Sequence, residues 1–319
     1  MLLFGCKKEE KVVIPSGLTP YILNYPSYFP DPPISSDNRL TIEGVALGRR
    51  LYYDPILSNN GNSCSSCHNQ NESFSAFSVN SLAHVNLGWS SNFLWNGKIS
   101  GRMEDIMKFE VEEFFHSDIS KLNNSTFYKD EFYKVFKVET ITSKEVYYAL
   151  AQFFNSMISV DSKYDRFLQH KYWLNPSEMN GFNIFNSEKG DCFHCHSLVL
   201  LTDNKFHNIG LDSTFNSLNS GRYLVTNNPF DIGLYKTPTL RNIELTPPYM
   251  HDGRYLTLEQ VVEHYNSKVK MSSTLDPIMT KPGKINGLLL TSQNKIDLVA
   301  FLKTLTDSTF INNPNFSAP

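Results

Sequence analysis

Two stretches of the sequence decide the fold: CSSCH at residues 64–68 and CFHCH at residues 192–196. Both have the pattern Cys-x-x-Cys-His, and together they contain four of the five cysteines of the chain. At the cysteine and histidine frequencies of this chain, roughly 0.002 such strings are expected by chance. Two occurrences therefore indicate one chemical purpose that is used twice.

The spacing within each string is the attachment signal for haem c. Two cysteine sulfurs form thioethers with the vinyl groups of one macrocycle, and the histidine that follows lies beneath the iron as its proximal ligand. The sequence therefore predicts two covalently bound haems. The residues predicted to hold them are Cys64, Cys67, His68, Cys192, Cys195 and His196.

Three other uses of paired cysteines compete with this prediction. A zinc site could combine both pairs, but zinc-binding pairs usually lie about 12–20 residues apart and these two lie much further apart. A redox dithiol of the thioredoxin type needs one pair in a βαβ context, and strand signals here are few and short. Disulfides between near neighbours would close small, strained loops. The motif itself favours haem c.

The composition limits the classes of protein further. The chain has 319 residues, of which 40% are hydrophobic and 13% aromatic, enough for packed cores and for two domains. Its 29 Lys and Arg residues against 32 Asp and Glu give a net charge of −3, so a general nucleic-acid binder is excluded. No stretch approaches eighteen consecutive apolar residues, so no transmembrane helix is predicted.

The N-terminal segment MLLFGC resembles the end of a lipoprotein signal, with the small residue Gly5 directly before Cys6. We expect the true start to lie upstream and Cys6 to carry a lipid that anchors the protein to a membrane. The alternative is an ordinary free cysteine near a ragged end. Because haem c is attached outside the cytosol, the sequence predicts a periplasmic or cell-envelope protein.

The rest of the chain predicts helices joined by irregular connections. Six prolines lie between residues 7 and 40, which predicts a flexible linker. Later segments have apolar residues at helical spacing and capping residues before them. The predicted helices are 41–53, 103–115, 144–158 with Ser143 as its cap, 176–186, and a final helix that begins at 291–294 and extends to 305.

These features predict an all-α fold of two cytochrome c-like helical domains, each with one covalently bound haem c. Residues 1–34 are expected to form the signal remnant and the linker. Residues 35–170 are expected to form the N-terminal domain and residues 171–319 the C-terminal domain. Beyond the two haem strings, the internal similarity is too low to establish a repeat.

Over residues 35–306 the chain resembles the bacterial di-haem cytochrome c peroxidase superfamily. Within it, the chain is most similar to the branch of the methylamine dehydrogenase maturation enzyme. Apart from the haem strings, the matching stretches are 47–53, 93–98, 206–210 and 236–254. The resemblance implies a peroxidase that reduces hydrogen peroxide with electrons from a small redox protein, a cytochrome c or a cupredoxin. It also implies a homodimer.

The resemblance implies different roles for the two haems. The N-terminal haem would be the peroxidatic one, and electrons would enter at the C-terminal haem. Trp95 matches the tryptophan that lies between the haems and would act as an electron relay, although a lone tryptophan is otherwise most often a core residue. A Ca²⁺ ion between the domains is also implied, with oxygen ligands from Asn80, Thr246 and Pro248.

Tyr265 occupies the position at which many members of the family place a methionine beside the C-terminal iron. A phenolate is a hard anionic donor that stabilises Fe(III), whereas a thioether favours Fe(II). The resemblance therefore implies Tyr265 as the sixth ligand. His264 is the competing ligand. Neighbouring residues on a helix point about 100° apart, so only one of the two side chains can face the iron. If His264 is not the ligand, we expect it to face solvent. Met250, Met271 and no protein ligand also stay open.

The peroxidatic side also differs from the pattern common in the family. Eleven residues separate His68 from Asn80, and none of them is the distal histidine that other members carry there. We therefore expect the N-terminal iron to have a face that peroxide reaches without prior reductive activation. His84 lies beyond that loop and is expected to be structural.

The family uses a glutamate downstream of its tryptophan to move a proton between the two oxygens of peroxide. In the cluster of Glu110, Glu112 and Glu113, Glu113 is the best positional match and Glu112 is the alternative. The competing interpretation is that all three are solvated helix carboxylates.

Two other functions stay open for the protein as a whole. One is the peroxide-dependent oxidation of a protein or organic substrate by a tyrosine-ligated haem, and the other is electron transfer without catalysis.

Overall fold

The computed structural model of the chain describes residues 17–319, so the predicted lipidation site Cys6 lies outside the described residues. Within them the fold is helix-rich, and its sheet is limited to two antiparallel ribbons with two residues per strand. The prediction of a helical protein with few and short strands is confirmed. The strands are β1 Asn92–Phe93, β2 Ile99–Ser100, β3 Phe206–His207 and β4 Tyr235–Lys236.

Eleven α-helices lie between residues 17 and 319. They are α1 Ile42–Tyr53, α2 Met103–Phe109, α3 Ser120–Asn123, α4 Thr126–Phe136, α5 Ser143–Ser156, α6 Lys163–Leu168, α7 Pro176–Phe185, α8 Tyr223–Thr226, α9 Leu258–Ser267, α10 Ser292–Lys303 and α11 Ser308–Ile311. Each of these is too short or too polar to serve as a membrane-spanning segment. The predicted helices are present near their predicted bounds, and Thr142 rather than Ser143 caps α5, with Glu145 completing a capping box.

The helices build two separate hydrophobic cores. The first core is centred on α1 and α5 and contains Leu51 and Phe153, both fully buried. The second is centred on α7 and α10 and contains Phe185 and Phe301, which are also fully buried. Cys64 packs against the first core and Cys192 against the second. Each haem string therefore has a helical core of its own.

The two central helix pairs use the same close approach. A Cβ atom at Gly48 of α1 would overlap the carbonyl oxygen of Ala149 on α5, and a Cβ at Gly181 of α7 would overlap that of Asp297 on α10. Only glycine lets the two backbones come this near. The equivalent positions indicate that both halves of the chain have the same architecture.

The structure shows a second repeated segment, which the sequence similarity alone did not establish. Residues 86–98 and 242–254 match without a gap. Each begins with an asparagine of positive φ, has a second positive-φ residue at Leu94 or Met250, and turns at a positive-φ glycine. A short 3-10 turn follows the asparagine in both segments. In this repeat Trp95 corresponds to His251.

Both ends of the described chain lie against the N-terminal half. Residues 17–40 lie in the segment that the sequence predicts as a flexible linker. Within it, however, Phe29 is buried, and the carbonyl of Pro30 accepts a hydrogen bond from Trp89 Nε1. At the other end, Phe310 and Phe316 belong to the first core. The packing thus extends the N-terminal half beyond the segment predicted for it.

A buried ion pair holds the loop after the second haem string. Arg241 makes two hydrogen bonds to the carboxylate of Asp165, at 2.9 and 3.0 Å, and both side chains are excluded from water. The same guanidinium donates to the carbonyl oxygens of Ser159 and Val199. It therefore connects the segment between the two halves to the loop that follows CFHCH.

Candidate functional site

The N-terminal haem string lies on a short 3-10 turn at Cys64–Ser66. His68 follows it, and its Nδ1 lies 2.7 Å from the carbonyl oxygen of Phe74. Ser73 and Phe74 both have positive φ, which turns the chain back toward the imidazole. A histidine that binds a metal typically donates its other ring N–H to such a carbonyl. The contact therefore leaves Nε2 of His68 available for an iron.

The C-terminal haem string repeats this arrangement. A 3-10 turn spans Cys192–His194, and Nδ1 of His196 lies 3.0 Å from the carbonyl oxygen of Leu201, another residue of positive φ. Burial lowers the pKa of both His68 and His196 to about 4. Both imidazoles are therefore neutral at physiological pH, as a metal ligand must be.

The four cysteines do not fit the other uses of paired cysteines. All four are free of disulfides, and the two pairs lie on different cores, so they do not form one zinc site. His194, inside the second string, faces Glu188 and Lys281 at the surface. Two thiols next to a neutral histidine, twice over, fit covalent haem c.

A large cavity opens beside the second haem string. Its walls include Cys192, Cys195, His196 and Tyr265. Lys236 also lines it and is 7% exposed, and its ammonium donates to the carbonyl of the neighbouring Thr237, at 3.3 Å. Burial lowers the pKa of Lys236 to about 8. A buried amine without a carboxylate at pairing distance fits the propionate of a haem.

Tyr265 and His264 on α9 point in different directions. Tyr265 lines the cavity, and burial raises the pKa of its phenol well above the usual value. His264 is 1% exposed, and its Nε2 lies 2.9 Å from the carbonyl oxygen of Ile209. The expectation that His264 faces solvent is therefore wrong, because its ring is held inside the C-terminal half.

The two methionines expected as alternatives to Tyr265 also differ in position. Met250 lines the cavity, whereas Met271 is 58% exposed and lies outside its lining. Of the candidate ligands for the second iron, Tyr265 and Met250 are thus the ones placed at the cavity.

Trp95 belongs to the N-terminal half but faces the C-terminal cavity. It lies in the turn between β1 and β2, and its side chain lines the cavity. Its Nε1 donates to the carbonyl of Asn80 at 3.3 Å, and its own carbonyl accepts from the amide of Lys236 at 2.8 Å. Asn80 of the N-terminal half therefore holds the indole, and Lys236 of the C-terminal half holds the backbone of the same residue.

The glutamate cluster lies on a π-helical turn, Glu110–Phe114, that continues α2. Glu110 is partly buried, and its carboxylate is close enough for its charge to act on Cys64. Burial raises the pKa of Glu110 to about 7. Such π-turns are often found at functional sites. Sequence position favoured Glu113, but the turn presents Glu110 toward the N-terminal haem string.

Glu112 and Glu113 have other partners. Glu113 lies 3.6 Å from the ammonium of Lys98, and both side chains are exposed. Glu112 accepts a hydrogen bond from Ser143 at 2.6 Å. Glu110 differs from the other two carboxylates because it is partly buried without a positively charged partner among the described residues. The spacing of the sequence did not predict this difference, because a π-turn shifts the helical register.

Asn80, Thr246 and Pro248, the residues expected to bind calcium, all line the cavity, and Asn80 and Pro248 lie beside the same glycine. The amide nitrogen of Asn80 donates to the carbonyl oxygens of Met250 and His251, at 3.0 and 2.8 Å. A Cβ atom at Gly253 would lie 3.0 Å from Pro248 and 3.5 Å from the Asn80 side chain. The available oxygens are neutral, and Ca²⁺ takes six to eight of them, so the site fits calcium only with added water.

Comparison with known proteins agrees with this geometry. The family model described as di-haem cytochrome c peroxidase matches residues 42–172. The chain is 32% identical over 288 residues to the methylamine utilization protein MauG of Methylorubrum extorquens, covering 84% of this chain and 79% of that protein. It is 30% identical over 317 residues to the cytochrome c551 peroxidase of Nitrosomonas europaea, covering 91% of this chain and 86% of that protein.

A solved structure gives the same result. The chain is similar to a MauG-like protein associated with microbial copper homeostasis, with a TM-score of 0.86, 31% sequence identity, and coverage of 94% of this chain and 99% of that one. Haem c is the cofactor that this family implies, and the two histidine sites and the cavity fit it. The chain therefore belongs to the di-haem cytochrome c peroxidase family and is a peroxidase-type oxidoreductase.

Proposed function

We propose that this protein reduces hydrogen peroxide to water with electrons from a small redox protein, a cytochrome c or a cupredoxin. One haem c is held by Cys64, Cys67 and His68, and the other by the equivalent residues of the second string. When bound, haem c supplies an iron that exchanges electrons and promotes cleavage of the O–O bond. The observation that carries the proposal is the pair of similarly built histidine sites, each with a backbone carbonyl at Nδ1.

The proposal also gives electron flow a direction, with different roles for the two haems. Electrons enter at the C-terminal haem and pass Trp95 to the N-terminal haem, where peroxide binds. Trp95 suits this route because its ring lines the C-terminal cavity while its backbone belongs to the N-terminal half. Each peroxide takes up two electrons and two protons and yields two molecules of water, so the N-terminal site also needs a proton carrier.

Glu110 is the proposed proton carrier. A general acid–base group is most effective when its pKa lies near the working pH, and burial raises the pKa of Glu110 to about 7. In its ionised form the carboxylate can take a proton from the near oxygen of peroxide. In its protonated form it can return that proton to the far oxygen. Glu112 and Glu113, the matches from sequence position, are the alternatives.

Tyr265 is the proposed sixth ligand of the C-terminal iron. Its place in the cavity with Cys192 and Cys195 supports this role. An anionic phenolate would stabilise Fe(III) and suit a site that holds oxidising equivalents. A tyrosine-ligated haem is the basis of the second candidate function, the peroxide-dependent oxidation of a protein or an organic substrate.

Steady-state consumption of peroxide tests the proposal. The holoprotein is mixed with peroxide and reduced cytochrome c, and in parallel with a reduced cupredoxin. We expect two donor molecules to be oxidised per peroxide. A long-lived oxidised state of the protein that neither donor removes would favour the second candidate. A protein with two haems that does not consume peroxide would be an electron-transfer cytochrome, and the proposal would be wrong.

Location and calcium are further parts of the proposal. We place the protein in the periplasm or cell envelope, because haem c is attached there, with a lipid at Cys6. Mass spectrometry of membrane-extracted protein tests the lipid. Calcium at Asn80, Thr246 and Pro248 is tested by metal analysis before and after chelation. We expect about one Ca²⁺ per chain, and a chain without calcium that keeps full activity would exclude the ion.

A further inference from the structure

A second imidazole lies directly against the proximal ligand of the N-terminal site. The rings of His84 and His68 are stacked with their centroids 3.6 Å apart and their planes at 20°. Nδ1 of His84 lies 3.2 Å from the hydroxyl of the fully buried Tyr52. The same hydroxyl donates to the backbone carbonyl of His68 at 3.3 Å. Tyr52 therefore holds both the second imidazole and the chain that carries the ligand.

The other half of the molecule has a different residue at this place. In the repeated segments, His84 lies two residues before Asn86, and Leu240 lies two residues before Asn242. Leu240 packs against the second core and lines the C-terminal cavity. A leucine therefore satisfies the packing needs of this position. A polar ring within the first core is not required by the fold and costs more to desolvate.

We propose that His84 is a positioning residue for His68 and makes the two haem sites chemically unequal. The inference rests on haem attachment as proposed above. Two contacts fix the plane of the His68 ring: the Phe74 carbonyl at Nδ1 and the stacked ring of His84. His196 has the corresponding carbonyl contact from Leu201, and the C-terminal half has Leu240 at the repeat position of His84.

The polarity of His84 determines the direction in which this residue shifts the reduction potential of the N-terminal haem. A polar environment near an iron favours the more highly charged Fe(III) over Fe(II), whereas an apolar one favours Fe(II). His84 thus lowers the reduction potential of the N-terminal site relative to a site built with leucine. It keeps that site in the ferric form in which it meets peroxide.

Substitution by the residue of the other repeat tests the inference. In H84L holoprotein we expect two haems per chain, an altered ferric EPR signal from the N-terminal haem, and an unchanged C-terminal signal. At a fixed solution potential, the Fe(II):Fe(III) ratio of the N-terminal haem should rise above the wild-type ratio, because an apolar neighbour favours Fe(II). H84F keeps an aromatic ring without nitrogen and should preserve the EPR signal while raising the ratio.

The readouts separate this inference from the proposed function. An N-terminal EPR signal and a ratio that match wild type in both H84L and H84F would overturn the role of His84, even in an active peroxidase. Two normal haems without peroxide turnover would overturn the proposed function and leave the role of His84 standing. If H84L fails to take up haem, Y52F carries the test. It removes only the hydroxyl at 3.2 Å and should shift the ratio in the same direction.

Discussion

The backbone carbonyl of Trp95 accepts a hydrogen bond from the amide of Lys236 at 2.8 Å. This contact joins the β1–β2 turn of the N-terminal half to β4 of the C-terminal half. Arg222 supports it, because its guanidinium lies 3.9 Å from the ring of Phe206 and contacts the carbonyls of the same turn. The backbone of residue 95 is therefore held by contacts that a change of its side chain leaves in place.

Replacing Trp95 by phenylalanine should slow electron transfer between the haems. We expect W95F to keep two haems and the wild-type melting temperature, while turnover with a reduced cytochrome falls about tenfold, or about 1.4 kcal/mol of activation free energy. Stopped-flow reoxidation of the C-terminal haem by peroxide measures the step directly. W173F is the matched control, because Trp173 is 77% exposed. Equal rates in W95F and wild type would exclude the relay.

Glu110 should impose an ionisation near pH 7 on the reaction with peroxide. The carboxylate must be ionised to accept a proton, so kcat/KM for peroxide should rise as the pH rises through about 7 and level off above it. E110Q should lose this ionisation and about 10²–10⁴-fold in kcat/KM. E112Q and E113Q are the controls and should keep both. A wild-type profile in E110Q, with the loss found in E113Q instead, would return the role to Glu113.

Tyr265 should control the C-terminal haem alone. Y265M replaces an anionic oxygen ligand by a thioether, which favours Fe(II), so the reduction potential of this haem should rise while that of the N-terminal haem stays constant. Optical redox titration resolves the two. M271L serves as the control, since Met271 is exposed and lies outside the cavity lining. A C-terminal spectrum that is identical in Y265M and wild type would exclude the tyrosine as ligand.

The Arg241–Asp165 pair should contribute strongly to stability. D165N leaves a buried guanidinium without its counter-charge, which typically costs about 3–5 kcal/mol. Arg166 and Asp161 form an exposed pair with similar geometry, so D161N should cost at most about 1 kcal/mol. Urea denaturation of both holoprotein variants measures the difference. If D165N and D161N lose similar amounts of unfolding free energy, breaking the buried pair costs no more stability than breaking the exposed one, and this prediction is wrong.

The sequence predicted much of this architecture because each decisive feature is local. The haem strings, the helix bounds and the caps depend on residues a few positions apart, as for Thr41 before α1. The fine selection among Glu110, Glu112 and Glu113 was not local. A π-turn changes the register of a helix and thereby the side chain that turns inward, which spacing rules for an α-helix do not describe.

The sequence also did not predict the stacking of His84 on His68 or the second repeated segment. The repeat is preserved in backbone conformation, with positive φ at Asn86 and Asn242, while its side chains have diverged to Trp95 in one half and His251 in the other. His84 was expected to be structural. Its contact with His68 depends on the loop between the two residues, which brings their rings together. The spacing of the two histidines in the sequence therefore did not predict the contact.

The most direct measurement is a haem count and ferric EPR spectrum on the same mature sample. The account predicts two covalent haems per chain by the pyridine haemochrome assay, with a high-spin signal from the open N-terminal iron and a separate signal from the C-terminal one. Fewer than two haems per chain, or two fully low-spin signals, would contradict it.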